Sequence, residues 1–159
     1  LEDGTLDLAD SILKRLDLTV CSVHSKLNLS RKQQTERVLR AMENPYFTIL
    51  AHPTGRLINR RAPVEIDMER VLNKAKELHR VVEINSYPDR LDMNDVHCRM
   101  AKELGVKVSI NTDAHSTNDL NFIRFGVAQA RRGWLEPSDV INTRGLNDLL
   151  NLLCSIREN

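Results

Sequence analysis

Residues 106–117 read VKVSINTDAHST, an apolar run that passes directly into Asp113 and His115, two positions apart. Alternate residues of an extended chain share a face, so an extended backbone kept as far as residue 115 sends a carboxylate and an imidazole into one small volume. A metal ion, a general base with its orienting partner, or a hydrogen-bonded loop would each use such a pair. Similar endings recur upstream. LTVCSVH (18–24) ends in His24, YFTILAH (46–52) ends in His52, and RVVEIN (80–85) runs through Glu83 to Asn85. Segments of helical period lie between these runs, over 30–42, 67–79 and 94–104. Strands alternating with helices of ten or more residues predict βαβ units and a parallel sheet. Ligands of such sheets bind at the carboxyl ends of the strands. All four strands deliver polar side chains there, which makes a candidate site.

The remaining elements follow from period and punctuation. LADSILKRL (8–16) carries a helical stripe of Leu8, Ile12, Leu13 and Leu16. Ser30, Asp67 and Asn94 are placed to cap the three central helices, and Gly105 to close the third. A further helix is expected from Asn118 to about Arg132, before Gly133-Trp134, with short helical pieces near 137–141 and 145–156.

Composition limits the function classes. A chain of 159 residues with 41% hydrophobic and 28% charged residues is long and apolar enough for one domain with a buried core. Only 4% is aromatic, so that core must be aliphatic. A net charge of +1 gives no global attraction to nucleic acid or membrane, so any anion must be recognised by a local cluster. No apolar run approaches membrane-spanning length. Cys21, Cys98 and Cys154 are odd in number and far apart, which suggests a reducing, cytoplasmic compartment.

His24, His52, Asp113 and His115 as a set suit zinc, manganese or iron, having imidazole and carboxylate donors, no thiolate, and too few oxygens for calcium. Such an ion acidifies bound water and polarises a phosphoryl oxygen. Glu83 and Asn85 share a face by alternation, which leaves each either to support the set from behind or to bond to backbone. Cys21 faces away from His24 by alternation and reads as core. His79 and His97 lie at or within helices and receive no role. Arg56, Arg60 and Arg61 follow His52 in the loop TGRLINRRAP (54–63), and Arg90 follows Asn85. Guanidinium groups beside a hydrolytic metal suggest phosphate recognition. Arg131 and Arg132 end a helix, where cations offset its dipole.

LEDGTLD (1–7), SVHS (22–25), ILAHPTGR (49–56), VVEINSYPDRLDM (81–93), INTDAHS (110–116) and GVAQARRGWL (126–135) together resemble the PHP (polymerase and histidinol phosphatase) domain. The likeness is to the version at the C-terminus of family X DNA polymerases and covers nearly the whole chain. It implies a distorted (βα)₇, TIM-like barrel with up to three divalent ions at its C-terminal face. It further implies manganese- or zinc-dependent phosphoesterase chemistry, used in the polymerase for 3′–5′ exonuclease action and 3′-end processing in DNA repair. By that resemblance His24, His52, Asp113 and His115 correspond to metal ligands, and Arg56 to a contact with DNA phosphate. The family's opening HxH motif and early acidic ligands have no counterpart here. The chain is therefore expected to be the C-terminal portion of the domain over 1–159, a barrel incomplete at its N-terminus that binds fewer ions, or none. Unpaired barrel edges would favour a homo-oligomer or domain exchange. Two other readings stand beside this one: a small-molecule phosphatase of the histidinol-phosphate type, and an inactive piece serving as a structural or interaction module.

Overall fold

Four parallel strands stand in the order β1-β2-β3-β4 in the computed structural model, which describes residues 1–158. They are β1 (Val20–Cys21), β2 (Ile49–Leu50), β3 (Val81–Asn85) and β4 (Val108–Asn111). The connecting helices are α2 (Arg31–Met42), α3 (Met68–Glu77) and α4 (Asp95–Leu104), after a single turn, α1 (Asp10–Leu13). Every strand neighbours the next in sequence, as winding in one sense produces in a (βα) barrel-like α/β fold. A doubly wound sheet would break that order at a switch point. The β3–β4 ladder is the longest, pairing Val82 with Val108 through Asn85 with Asn111. Within the sheet β1 has a neighbour on one side only, while the outer side of β4 meets Val140 in an isolated bridge.

Strands β1 and β2 are two residues long, where the apolar runs predict seven. Threonine side chains take over the ladder at their start. Thr19 N–H donates to Oγ1 of Thr48 at 3.2 Å, and Thr48 N–H donates to Oγ1 of Thr19 at 3.1 Å. The Thr19 hydroxyl donates in turn to the Tyr46 carbonyl. At the other end one more ladder bond forms, Ala51 N–H to the Cys21 carbonyl at 2.8 Å, before His52 turns out of the extended region at φ +28°. The stripe expected over 8–16 fails for another reason: Leu13 buries, but Leu8, Ile12 and Leu16 stay exposed.

The capping residues do what their chemistry suggests. Ser30 and Gln33 form a reciprocal capping box on α2. Asp67 accepts from Arg70 N–H, Asn94 accepts from His97 N–H, and Gly105 closes α4 at φ +77°. The helix expected at 118–132 begins as a 3₁₀ segment (Thr117–Phe122) and becomes α5 (Ile123–Arg132). Two 3₁₀ turns (Pro137–Asp139, Ile141–Thr143) precede α6 (Leu146–Glu158).

The core is aliphatic, as the composition requires. Leu50, Val82, Ile84, Val108 and Ile110 pack with Val38, Met42, Val71, Leu72 and Ala101 from the helices. Strand alternation sends Ile49 and Val81 to the opposite side, against Ile141 and Ile156. Arg80, only 2% exposed, sits where these layers meet. Its guanidinium donates to the carbonyls of Met42, Asn44 and Ile156, tying the end of α2 to α6. Gly126 permits another close approach. A Cβ there would fall 2.0 Å from Ser86 Oγ and 2.6 Å from Ile110 Cγ2, so only glycine lets α5 lie against the ends of β3 and β4. Cys21, Cys98 and Cys154 are all free thiols. Cys21 packs against the core, and burial pushes the Cys98 thiol up to about 12.

Candidate active site

The register Cys21–Leu50 aligns β1 with β2, so the residues leaving both strands emerge side by side. His24 and His52 meet there, with ring centres 5.5 Å apart and planes 22° from parallel. His24 is exposed, and its Nε2 lies 2.8 Å from the Ser22 hydroxyl. His52 is buried, and its backbone N–H donates to Oε2 of Glu83 at 2.7 Å. That carboxylate also accepts from Asn111 Nδ2 at 2.9 Å and Asn85 Nδ2 at 3.3 Å. One acid on β3 thus ties together the ends of β2, β3 and β4. Burial pushes the Glu83 carboxyl up, against the pull of these three donors. Burial first, then the nearby charge of Arg90, pushes the His52 imidazole down to about 4. His52 is therefore neutral at pH 7, the form that binds metals.

Asp113 and His115 do not share a face through strand alternation. Strand β4 ends at Asn111, and Asp113 adopts a left-handed conformation at φ +53°. The turn aims the Asp113 carboxylate at Arg90, whose Nε lies 3.1 Å from Oδ2. The Asp113 charge still reaches His52. His115 is exposed, and its Nδ1 lies 2.7 Å from the Asp113 carbonyl oxygen. Arg90, singled out by its place after Asn85, is 19% exposed at its side chain, bridges the β3 and β4 loops, and has a buried Nη1 without a hydrogen-bond partner. Its signal was its place seven residues after Glu83, in NSYPDRLD; its partner, 23 residues further on, carried no local cue.

The arginines after His52 are largely committed to the loop itself. Arg56 donates from Nε to the Arg90 carbonyl at 2.7 Å and from Nη2 to the Leu91 carbonyl. Arg61 folds back onto the Gly55 carbonyl through Nε and Nη2. Arg60 pairs with Asp89 at 3.3 Å on the surface. Asp92, fully buried, accepts from the backbone N–H groups of Thr54 and Gly55, both at 2.9 Å. His97 also packs inward, its Nδ1 buried without a partner, whereas His79 is exposed.

Burial holds the Asp92 carboxyl up at about 6 against those donated bonds. The folded chain therefore keeps a proton that the unfolded chain, at its ordinary value of 3.8, has already released. This group's contribution to stability is complete below about pH 4 and is lost as the pH rises through about 6. Asp92→Asn is neutral throughout. It is expected to gain on the wild type by up to about 3 kcal/mol between pH 4 and pH 7. Urea unfolding across that range measures the gap, and a gap independent of pH would contradict the assignment.

The separation of the His24 and His52 ring centres is close to that of two imidazoles sharing an ion. With metal–nitrogen bonds of about 2.0–2.1 Å, two imidazoles on a tetrahedral ion hold their ring centres roughly 5 Å apart. The buried Nδ1 of His52, which has no hydrogen-bond partner, leaves that ring a nitrogen to be satisfied. The fit stops at the pair. Among the described residues no group of three or more His, Cys, Asp or Glu side chains stands close enough to hold a metal. Asp113 is engaged by Arg90, and His115 by its own loop. Beside the pair, an apolar groove of about 460 Å³ follows β1, lined by Leu6, Leu13, Leu16, Val23 and Phe47 as well as His24.

No protein-family model matches the chain. Over 149 residues it is 42% identical to the DNA polymerase/3′-5′ exonuclease PolX of Bacillus subtilis (strain 168), covering 94% of this chain and 26% of that protein. Over 151 residues it is 30% identical to a probable phosphatase of Thermoanaerobacter sp. (strain X514), covering 89% of this chain and 59% of that protein. A probable phosphatase of Caldanaerobacter subterraneus subsp. tengcongensis is 34% identical over 128 residues, covering 75% of this chain and 48% of that protein. The chain thus spans about a quarter of the polymerase and roughly half of the phosphatases.

Proposed function

The chain resembles the PHP domain of family X DNA polymerases over nearly its whole length, and on that premise we propose that residues 1–159 form the C-terminal portion of a metal-dependent phosphoesterase domain of this kind. The single observation that carries the reading is the pairing of His24 with His52, two strand-end imidazoles at a separation suited to one ion. The singly wound parallel order supports treating the sheet as an arc of a (βα)₇ barrel, with the unpaired side of β1 open to a further strand or a second copy. The three free thiols support a reducing, cytoplasmic setting.

His24 and His52 would hold a manganese, zinc or iron ion, and Asp113 and His115 would complete its donors by leaving the Arg90 ion pair and the loop contact that engage them in this structure. When bound, that ion supplies acidified water and a Lewis acid for a phosphoester. The chain's own residues do the rest. Glu83 fixes the His52 backbone, and burial keeps the His52 ring neutral and ready to ligate. Arg90, held by Asp113, brings a guanidinium to the same loops, and its buried, unpartnered Nη1 would meet a phosphoryl oxygen only once the loop opens. Arg56, Arg60 and Arg61 shape the loop between them and offer their remaining N–H groups to a phosphate backbone. The substrate is the 3′ end of DNA, processed in repair as a 3′–5′ exonuclease would process it.

A second reading, hydrolysis of a small phosphate monoester, draws on the two relatives named as probable phosphatases. One experiment separates them. The purified chain is loaded with manganese, its metal content measured, and its turnover of single-stranded DNA compared with that of a phosphate monoester. Bound manganese with preferential release of 3′ nucleotides is the expected result. Preferential monoester turnover transfers the case to the second reading. A chain that takes up no metal and hydrolyses neither ends both.

A further inference from the structure

Aromatic residues are scarce, with one Trp, two Tyr and three Phe in the whole chain. Three of the six, Tyr87, Phe122 and Phe125, nevertheless gather beside the candidate site. The Tyr87 and Phe122 ring centres lie 5.3 Å apart with planes at 87°, and Phe122 and Phe125 are 6.1 Å apart at 37°. The Arg124 guanidinium lies 4.8 Å over the Phe125 ring. All three rings are half-buried, and none belongs to the buried core. Both segments that carry them lead to the site. Tyr87 accepts the backbone N–H of Arg90 at 2.8 Å, and Phe122 ends the 3₁₀ segment that starts two residues after His115. The absent side chain of Gly126 draws α5 down onto Ser86, which brings Phe122 and Phe125 alongside Tyr87. Leu120 and Ile123, both exposed, extend the same apolar surface.

We propose that Tyr87, Phe122 and the Arg124–Phe125 pair form a stacking platform for the bases of single-stranded nucleic acid. This rests on the phosphodiester reading of the adjoining centre and names what that centre's substrate carries beyond its phosphates. The rings are only half-buried, and each base has a π-face to lay on an aromatic surface, so stacking recognises a strand without reading its sequence. Arg124 adds a planar cation against the Phe125 ring, and Arg90, bonded to the Tyr87 carbonyl, is paired with Asp113. The nearby carboxylates are already engaged. Asp89 is held by Arg60, Asp113 by Arg90, and Asp119 by the N–H groups of His115 and Ser116. A small phosphate monoester without a ring would gain nothing from this surface.

The test is binding in chelator, which removes hydrolysis. Fluorescence anisotropy compares a labelled ten-residue oligothymidylate with an abasic oligomer of equal length and charge. The wild type is expected to prefer the oligothymidylate by about tenfold or more, and Tyr87→Leu or Phe122→Leu to remove most of that preference. Tyr87→Trp should retain it, and its indole fluorescence should change when the oligothymidylate is added, which a purely structural Tyr87 would not produce. Arg124→Gln should flatten the salt dependence of binding by about one phosphate contact. Equal wild-type affinity for the two oligomers would overturn the platform, as would an unchanged preference in the folded leucine variants. Base-dependent binding by a chain that hydrolyses no ester under manganese would support the platform and sink the phosphoesterase reading. Hydrolysis without any base preference would do the reverse.

Discussion

Asp113→Asn is expected to lower manganese-dependent release of 3′ nucleotides by at least about a hundredfold, the scale reached when even the outer partners of metal ligands are removed. The change is small in volume and large in charge. Asn retains an oxygen that can accept from Arg90 Nε, now 3.1 Å from the carboxylate, so the loop geometry has little reason to move. What disappears is the negative charge that would hold an ion beside His24 and His52 and that partly balances Arg90. The ion pair itself is partly exposed and worth only about 1 kcal/mol, so unfolding should shift little. Bound manganese, measured on the same preparations, should fall together with activity. Full activity in Asp113→Asn would remove Asp113 from the site. Lost activity with unchanged metal content would recast it as the residue that orients Arg90.

The second large effect concerns stability. Arg80→Met is expected to cost about 3 kcal/mol, because three carbonyls lose a charged donor and hydrogen bonds of that kind contribute about 1.5–3 kcal/mol each, part of which is offset by relief of the buried cation. The acceptors, Met42, Asn44 and Ile156, belong to the end of α2 and to α6, elements far apart in sequence. Burial already presses the Arg80 guanidinium below its ordinary value, a sign of how little water reaches it. For a domain of this length the melting temperature should drop by roughly 10 °C. Arg80→Lys should recover little, since one ammonium cannot span three separated oxygens. Thermal unfolding gives the answer, and a drop under about 2 °C would show that the bonds carry no net stabilisation.

What could be read from the chain alone follows the range of the forces involved. Helices α2, α3 and α4 were legible because Ser30, Asp67, Asn94 and Gly105 act within a turn of their own position. The parallel sheet was legible from alternation of strand and helix. The extents of β1 and β2 were not, because Thr19 and Thr48 replace ladder bonds with side-chain bonds across 29 residues. At the site, the meeting of His24 with His52 follows from strand ends in register. The shared face expected for Asp113 and His115 fails at one backbone angle, the φ of +53° at Asp113. Phosphate-binding roles for Arg56 and Arg61 are inferred from charge, whereas Nε and Nη2 of each serve carbonyls that only the folded loop brings near. The pairing of Arg90 with Asp113 and the gathering of the aromatic group depend on long-range packing, and no local pattern announces either.

The fastening of residues 52–61 to residues 86–93 has a dynamic consequence. Asp92 holds the N–H groups of Thr54 and Gly55, Arg56 holds two carbonyls of the facing loop, and Ile58 N–H donates to the Asp89 carbonyl. Neither loop can open without breaking the bonds of the other, so the two constitute a single cooperative foldon. The amides of Thr54, Gly55 and Ile58 would exchange their hydrogens with solvent at one common opening free energy, and a ligand grasped by either loop would slow exchange in both.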